Sequence, residues 1–381
     1  MQKHEYLKKQ TEKGNKHNNI NIHVPKKQKL LIAPKFILSK SKILEQYNKI
    51  KQSCNIVSYS SKTNSDVAKI LEKNTDSMFS VHLVNGLKHL SDKSRIIFLA
   101  QAWDDNLIQK LINDKIRWFV IDNESDIITL INFLKNNKNT PKINLLLRLK
   151  LKEHTIRTEK YFVFGMNSDI INKQLKELRN NNNIDNLGIH FHRKTQNMAE
   201  WNLKYELNNI IEEENWKNID IVNIGGGIPS KYANTNEDVI RTVFDKITEL
   251  KDWLKEKTIN LIIEPGRFVA APAGRLITQI MSIDEQNITV SASVYNTDMD
   301  ALIVPVKLLV EGELTKEEAQ EKSLKPFVIK GLTPCSMDLF RYRTYLNNPK
   351  VGDTLTFINA GAYNFTSDFC DLEKLETEVV E

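Results

Sequence analysis

The sequence has little cysteine and no long apolar run, and each shortage closes off a class of protein. Only three cysteines occur in 381 residues, Cys54, Cys335 and Cys370, and they are widely spaced. They can build neither a disulfide framework nor a zinc-ligand pattern. A chain so poor in cysteine fits a reducing cytoplasm. No stretch approaches the roughly 20 apolar residues that span a bilayer, so no membrane partner is expected. The first 27 residues are polar and rich in Lys, Asn and Gln, without the apolar segment of a secretory signal. The dinucleotide fingerprint GxGxxG is missing. Aromatic residues do not interleave with basic runs, as a nucleic-acid platform requires. The formal charge is +6, but the lysines are scattered and many fall in the first 51 positions. Nucleic acid is therefore not the expected partner, and a basic balance fits a small anionic cofactor or substrate equally well.

The hydrophobic content of 40% is enough for a large core and two domains. Residues 1–27 read as a solvated arm. Residues 28–40 contain one strand, 33–39, expected to join the C-terminal β domain. Over 41–275, strands alternate with helices. The strands are 55–61, 79–83, 95–100, 117–122, 143–149, 187–191, 219–224 and 259–264. Helical patterns lie between them, at 65–73, 104–113, 124–137, 167–180, 198–215 and 236–256. Most of the strands are short continuous apolar runs, as strands buried on both faces should be. Eight β-then-α units in one run point to an α/β fold, an N-terminal (β/α)8 TIM-like barrel, with an open doubly wound sheet as the alternative. Residues 276–381 lose helical periodicity and read as a C-terminal antiparallel β domain. Its strands are 276–282, 288–294, 303–310, 325–331 and 354–359, interrupted by a charged segment at 315–323.

Polar or glycine-rich elements fall at the C-terminal ends of these barrel strands, where such barrels assemble their active sites. Lys62 ends the first barrel strand, where desolvation lowers a lysine's pKa and favours imine chemistry. Set against this is a surface lysine. His190 and His192 share one side of a strand end. They are two satisfied polar residues, or a flat ring available to an aromatic cofactor; a metal site would need a third ligand that is not in evidence. Gly225, Gly226 and Gly227 follow a strand and let backbone N–H groups approach a phosphate. Glu264, Pro265, Gly266 and Arg267 again sit at a strand end. The carboxylate suits a protonated ring nitrogen and the guanidinium a phosphate or carboxylate, unless the two form a salt-bridged turn. Cys335, with Asp338 nearby, is a candidate acid or nucleophile, against the common alternative of an inert buried thiol. In 360–364, small residues permit close backbone approach and Tyr363 adds a hydroxyl.

Taken in order, Lys62, HFH, GGG, EPGR, the cysteine segment and GAY resemble the fold-type III pyridoxal-phosphate decarboxylases over nearly the whole chain from about residue 33. That family includes ornithine, arginine, diaminopimelate and carboxynorspermidine decarboxylases. The resemblance implies pyridoxal 5′-phosphate as cofactor. Lys62 resembles the lysine that holds it covalently. His192 resembles the histidine stacked on its ring, and Glu264 the carboxylate facing the ring nitrogen. Gly225, Gly226, Gly227, Gly266, Arg267, Tyr363 and Thr195 resemble the phosphate-binding set, and Arg148 an arginine near the cofactor. Cys335 resembles a cysteine that enters the site from a partner subunit and returns a proton to Cα, which implies a homodimer with shared sites. Racemases of the same fold use a tyrosine base instead. The cysteine and GAY segments are those of decarboxylases.

The chain departs from the family at the substrate end. FSVHL stands where FDxAS is usual. His192-Arg193-Lys194-Thr195 stands where HxGS is usual. Ser336 follows Cys335 in place of an acidic residue. Asp338, Arg193, Arg341 and Arg343 are the candidate substrate-binding residues, and the gain of cations suggests a substrate with carboxylates at its distal end. N-citrylornithine, an intermediate class of carboxylate-siderophore synthesis, is the sharpest expectation. The alternatives are a free diamino acid or carboxynorspermidine, of polyamine or lysine biosynthesis, or a non-catalytic regulator on the same scaffold.

Overall fold

The computed structural model describes residues 33–151, 164–235, 237–364 and 369–381. The polar arm at 1–27, and the first positions of the 28–40 segment, lie outside the described residues. Within residues 32–381, a closed barrel and a second sheet are formed.

Strand β1 (Lys35–Ser39) and helix α1 (Lys40–Gln52) precede the barrel. The barrel strands are β2 (Ile56–Ser60), β3 (Met78–Val81), β4 (Ile96–Leu99), β5 (Trp118–Ile121), β6 (Ile143–Arg148), β7 (Ile184–His190), β8 (Ile221–Asn223) and β9 (Asn260–Ile263). They are parallel throughout, and β9 closes on β2. The helices that follow them are α2 (Ser65–Asn74), α3 (Asp105–Asn113), α4 (Glu124–Asn136), α5 (Ser168–Leu178), α6 (Leu203–Ile210), α7 (Glu237–Glu256) and the short α8 (Arg267–Ala270). Among the described residues, β3 alone is followed by 3₁₀ turns instead of an α-helix, at Val84–His89 and Lys93–Arg95.

The apolar strands divide their side chains by the period of two. Ile97, Leu99, Val120, Leu146, Ile221 and Ile262 form a separate cluster that fills the barrel. Their neighbours Ile96, Phe98, Phe119, Ile121, Leu145 and Leu147 pack outward in the main core. Burial on both faces is why these strands read as unbroken apolar runs. The same alternation places the functional layer. Two residues beyond the filling of β5, β6, β8 and β9 stand Asp122, Arg148, Asn223 and Glu264, and His190 ends β7 two residues past Gly188. All five project at the C-terminal mouth.

The second sheet contains β10 (Gly274–Asp284), β11 (Asn287–Val290), β12 (Leu309–Val310), β13 (Phe327–Lys330), β14 (Leu339–Thr344), β15 (Thr354–Ile358) and β16 (Glu376–Val380). Its order is β12-β15-β10-β11-β13-β14, with β1 on β10 and β16 on β1. Most pairings are antiparallel, but β1–β16 and β11–β13 are parallel, so the sheet is mixed. Part of the stretch read as strands is helical: α9 (Val294–Thr297) and α10 (Asp300–Ile303) replace strand ends expected at 288–294 and 303–310. Ser293 accepts from its own turn and Asn296 bonds back, a capping box that turns the chain out of the sheet. The charged segment is α11 (Lys316–Glu321), started by a Thr315/Glu318 capping box. Strands β14 and β16 were not anticipated.

Candidate active site

Lys62 sits in the turn after β2, exposed at the barrel mouth. The turn is pinned on both sides: Ser60 N–H donates to Pro265 O at 3.0 Å and Tyr363 N–H to Thr63 O at 2.9 Å. Asn64 caps α2 and donates from Nδ2 to Gly361 O at 2.9 Å. The lysine, EPGR and GAY segments, far apart in sequence, are thereby fastened together. Desolvation holds the Lys62 ammonium below the ordinary lysine value, and Arg148 adds to this while Glu264 opposes it. A cavity of about 460 Å³ opens beside Lys62 and His82, walled in part by Phe36 of β1 and by Leu375.

Glu264 is buried. Its Oε1 accepts from Asn223 Nδ2 at 2.9 Å, and its Oε2 lies 3.5 Å from His190 Nε2. Burial alone would raise this carboxyl, but His190 and the Asn223 amide hold it below the usual carboxylate range. It is therefore an anion at neutral pH, as a partner of a protonated heterocycle must be. Arg148 is tied to Asp122 at 2.8 Å, with both side chains largely buried.

His192 lies just past β7 and its Nδ1 accepts the Gly226 N–H at 3.0 Å, so the ring is fixed and its remaining proton belongs on Nε2. Burial first, then Lys62, His190 and Arg148, against the pull of Glu264, push its pKa down to about 3. His82 is pushed down to about 4 by burial and Lys62. Both imidazoles are neutral at neutral pH, and a neutral flat ring can lie on a cofactor without adding charge. The sign of the consequence is definite. A histidine neutral in the fold but titrating near 6.5 in the unfolded chain makes the unfolded state bind more protons, so stability rises with pH. We expect cofactor-free protein to lose stability as pH falls below about 6.5, by about 1.4 kcal/mol per pH unit for each histidine. Urea-unfolding midpoints between pH 7.5 and 5 measure this, and a flat profile would contradict it.

Glycine is required in the turn after β8. Gly225 and Gly227 have φ of +63° and +93°. A Cβ on Gly225 would stand 2.5 Å from Phe191 O, and one on Gly226 2.7 Å from Glu264 O. The three glycines do not act alike. Gly225 N–H donates to Asn223 Oδ1 and Gly226 N–H to His192 Nδ1. Among the described residues, Gly227 N–H has no protein acceptor, so it is the amide left for an oxyanion. The next helix, α7, starts at Glu237, so the cradle is a loop and not a helix N-terminus.

Arg267 is buried between Thr195, Tyr232, Tyr363 and Asp300. Its Nε donates to Thr195 Oγ1 at 3.2 Å and its Nη1 to Tyr232 OH at 3.0 Å, and its guanidinium lies 4.9 Å from the Tyr363 ring centre. Both Nη atoms bond Asp300. Burial opposes the guanidinium's charge, and Asp300 more than offsets it. Thr195, Arg267 and Tyr363 thus meet as expected from the motifs, but Asp300 already balances the arginine. Next to it, Asp298 is buried and raised well above the carboxylate range, by burial and then by Asp300. Neither aspartate was picked out from the sequence, nor were Asn223, Asp122 and Tyr232. The signal for Asn223 and Asp122 was their place two residues beyond an inward apolar residue.

The substrate-end residues are where the structure corrects the sequence. Arg193 is 1% exposed and paired with Glu200 at 3.1 Å and with Glu206. Arg341 is held by Glu313 at 2.9 Å and by Leu308 O at 2.6 Å. Both fasten the fold and neither is open to a ligand. Asp338 is 3% exposed. Its carboxylate accepts from Val294 N, Thr333 N and Thr333 Oγ1 at 2.8 to 2.9 Å, which closes its own loop. Of the added cations, Lys194 and Arg343 are exposed. Cys335 lies outside this group, in the second sheet's loop, with the Tyr295 hydroxyl 2.8 Å from its sulfur.

A buried anion for a ring nitrogen, a desolvated lysine, a neutral imidazole, the Gly227 amide and the meeting of Thr195 and Tyr363 at Arg267 fit pyridoxal 5′-phosphate. Residues 40–271 match the family model described as the pyridoxal binding domain of pyridoxal-dependent decarboxylases. The chain is 23% identical over 366 residues to diaminopimelate decarboxylase of Methanocaldococcus jannaschii, covering 88% of this chain and 82% of that one. It is 24% identical over 296 residues to ornithine decarboxylase of Caenorhabditis elegans, covering 72% and 67%. The structure of lysine/ornithine decarboxylase from Vibrio vulnificus, complexed with cadaverine, superposes with a TM-score of 0.72 at 20% identity, covering 92% of this chain and 95% of that one. The chain belongs to the pyridoxal-dependent decarboxylases, enzymes that use pyridoxal 5′-phosphate to remove carbon dioxide from amino acids.

Proposed function

We propose that the substrate is a diamino acid whose distal nitrogen is acylated, with N-citrylornithine as the sharpest instance. The observation that carries this reading is the fate of Asp338. A free distal ammonium needs a carboxylate to meet it. Ser336 follows Cys335, and the one acidic group of that loop, Asp338, is buried and spends its oxygens on three internal donors. An amide at the distal end asks for no such partner. The reading does not lean on a cation cluster, because Arg193 and Arg341 are paired internally.

When bound, the cofactor supplies the electron sink for the broken carbon–carboxylate bond. This chain's residues do the rest. Lys62 Nζ offers the amine that holds it, Glu264 keeps an anion against the ring nitrogen, and His192 presents a neutral face. Cys335 Sγ–H returns a proton to Cα. Cys335 does not line the cavity beside Lys62 and instead has the Tyr295 hydroxyl against its sulfur. That separation supports a homodimer in which each copy lends its cysteine to the other. The exposed apolar side chains Leu332, Met337, Tyr342 and Phe369 around that segment suit such an interface. Three unbonded thiols support a cytoplasmic setting.

Purified enzyme assayed on ornithine, arginine, lysine, diaminopimelate, carboxynorspermidine and N-citrylornithine tests the substrate. We expect kcat/KM for the citrylated compound to exceed the others by roughly tenfold or more, about 1.4 kcal/mol of transition-state binding. Faster turnover of a free diamino acid overturns the acylated-tail reading.

A further inference from the structure

We propose that Tyr295 is the positioning residue of Cys335, and that hydroxyl and thiol handle the returning proton as one pair. The proposal rests on Cys335 being the proton donor to Cα.

The contact is built by several independent bonds. The Tyr295 hydroxyl lies 2.8 Å from Cys335 Sγ. Ser293 Oγ accepts the Tyr295 N–H at 3.1 Å and Asn296 Oδ1 accepts the Ser293 N–H at 3.1 Å, which fixes the turn that carries the tyrosine. Asp338 then clamps the two segments together. One carboxylate oxygen takes the N–H of Val294, next to Tyr295, and the other takes both donors of Thr333, two residues before Cys335. On its other side the tyrosine ring packs on Phe369, with centroids 4.3 Å apart. Phenol oxygen and sulfur are therefore held at hydrogen-bond distance, and once the sulfur is a thiolate the phenol is the donor of the pair.

The chemistry follows from that geometry. When the S–H bond breaks and its proton goes to carbon, the bonding pair stays on sulfur. The Tyr295 O–H donates a hydrogen bond to that thiolate without giving up its own proton, and solvent later restores the thiol. The same bond holds the Cys335 thiol below its ordinary value, with a backbone amide helping and burial opposing. Tyr295 is pushed up to about 12, first by that bond, so it keeps its proton throughout the working range.

The test is alkylation of Cys335 by iodoacetamide across pH, in cofactor-loaded full-length protein carrying Cys370→Ser; Cys54 is buried. Tyr295→Phe keeps the ring against Phe369 and removes only the hydroxyl. The alkylation midpoint should move to higher pH and the rate at pH 7 should fall roughly threefold or more. In turnover, the same variant should lower kcat with little change in KM. It should add nothing to the loss caused by Cys335→Ala. An unchanged alkylation profile, in a variant with the wild-type thermal midpoint, overturns the pairing. A shifted profile combined with undiminished decarboxylation by Cys335→Ala removes the cysteine as donor, and with it the pair's place in the reaction.

Discussion

Lys62→Ala is expected to lower decarboxylation by on the order of 10³-fold or more and to abolish the absorbance near about 420 nm that marks covalently held cofactor. The argument is local. Lys62 stands at the barrel mouth, and desolvation, with Arg148 nearby, lowers its pKa and so favours the nucleophilic free amine. Its turn is held by backbone bonds from Ser60 and Tyr363 and by the Asn64 cap, none of which uses the lysine side chain. Truncation should therefore leave the fold and the neighbouring segments in place. Lys62→Arg separates the two roles of the residue. Arginine keeps a positive charge beside Glu264 but stays protonated and cannot attack a carbonyl. If the lysine acted only as a counter-charge, the arginine variant would retain activity. We expect it to be as inactive as alanine. A band that persists in Lys62→Ala would assign the covalent role to another lysine.

The sequence made the barrel legible because its physics leaves a strong trace. Strands buried on both faces must be continuous apolar runs, and eight of them separated by helical patterns allow few architectures. The mouth was partly legible for the same reason. A polar residue one pleat beyond the inward apolar layer, as in Val120 to Asp122 or Ile262 to Glu264, has only the cavity to face. What sequence does not encode locally is who neutralises whom. Arg193 reads as a gained cation until Glu200 and Glu206 are seen folded back onto it. Arg267 reads as an unpaired cation until Asp300, far along the chain, is found on both of its Nη atoms. Asp338 looks like a substrate contact and is a loop clamp. The second sheet was harder throughout. The apolar runs at 288–294 and 303–310 suggested strands, although Ser293 and Asn296 carried a helix-start signal. In β14 the arginines at 341 and 343 hid a strand whose Phe340 is buried.

Glu264→Gln should cut kcat by about 10²- to 10³-fold while leaving the cofactor attached, the size expected when one preorganised charge is removed from a buried site. The substitution is isosteric, and Asn223 Nδ2 still finds an oxygen, so the fold is not asked to close a cavity. The negative charge is what disappears. Without it, a bound cofactor would lack the anion that this site offers its ring nitrogen and would be a weaker electron sink. A second effect runs in the opposite direction. Glu264 is the charge that resists the lowering of the Lys62 pKa, so its removal lets the lysine fall further and become a better nucleophile at neutral pH. The variant should then take up cofactor at least as fast as wild type and still turn over far more slowly. Uptake followed by absorbance, set beside kcat, reads both quantities from one preparation. If uptake and turnover decline in parallel, Glu264 acts by holding the barrel mouth together. If they part, the carboxylate serves the ring nitrogen, and the His190 and Asn223 contacts are the means by which the barrel keeps it charged.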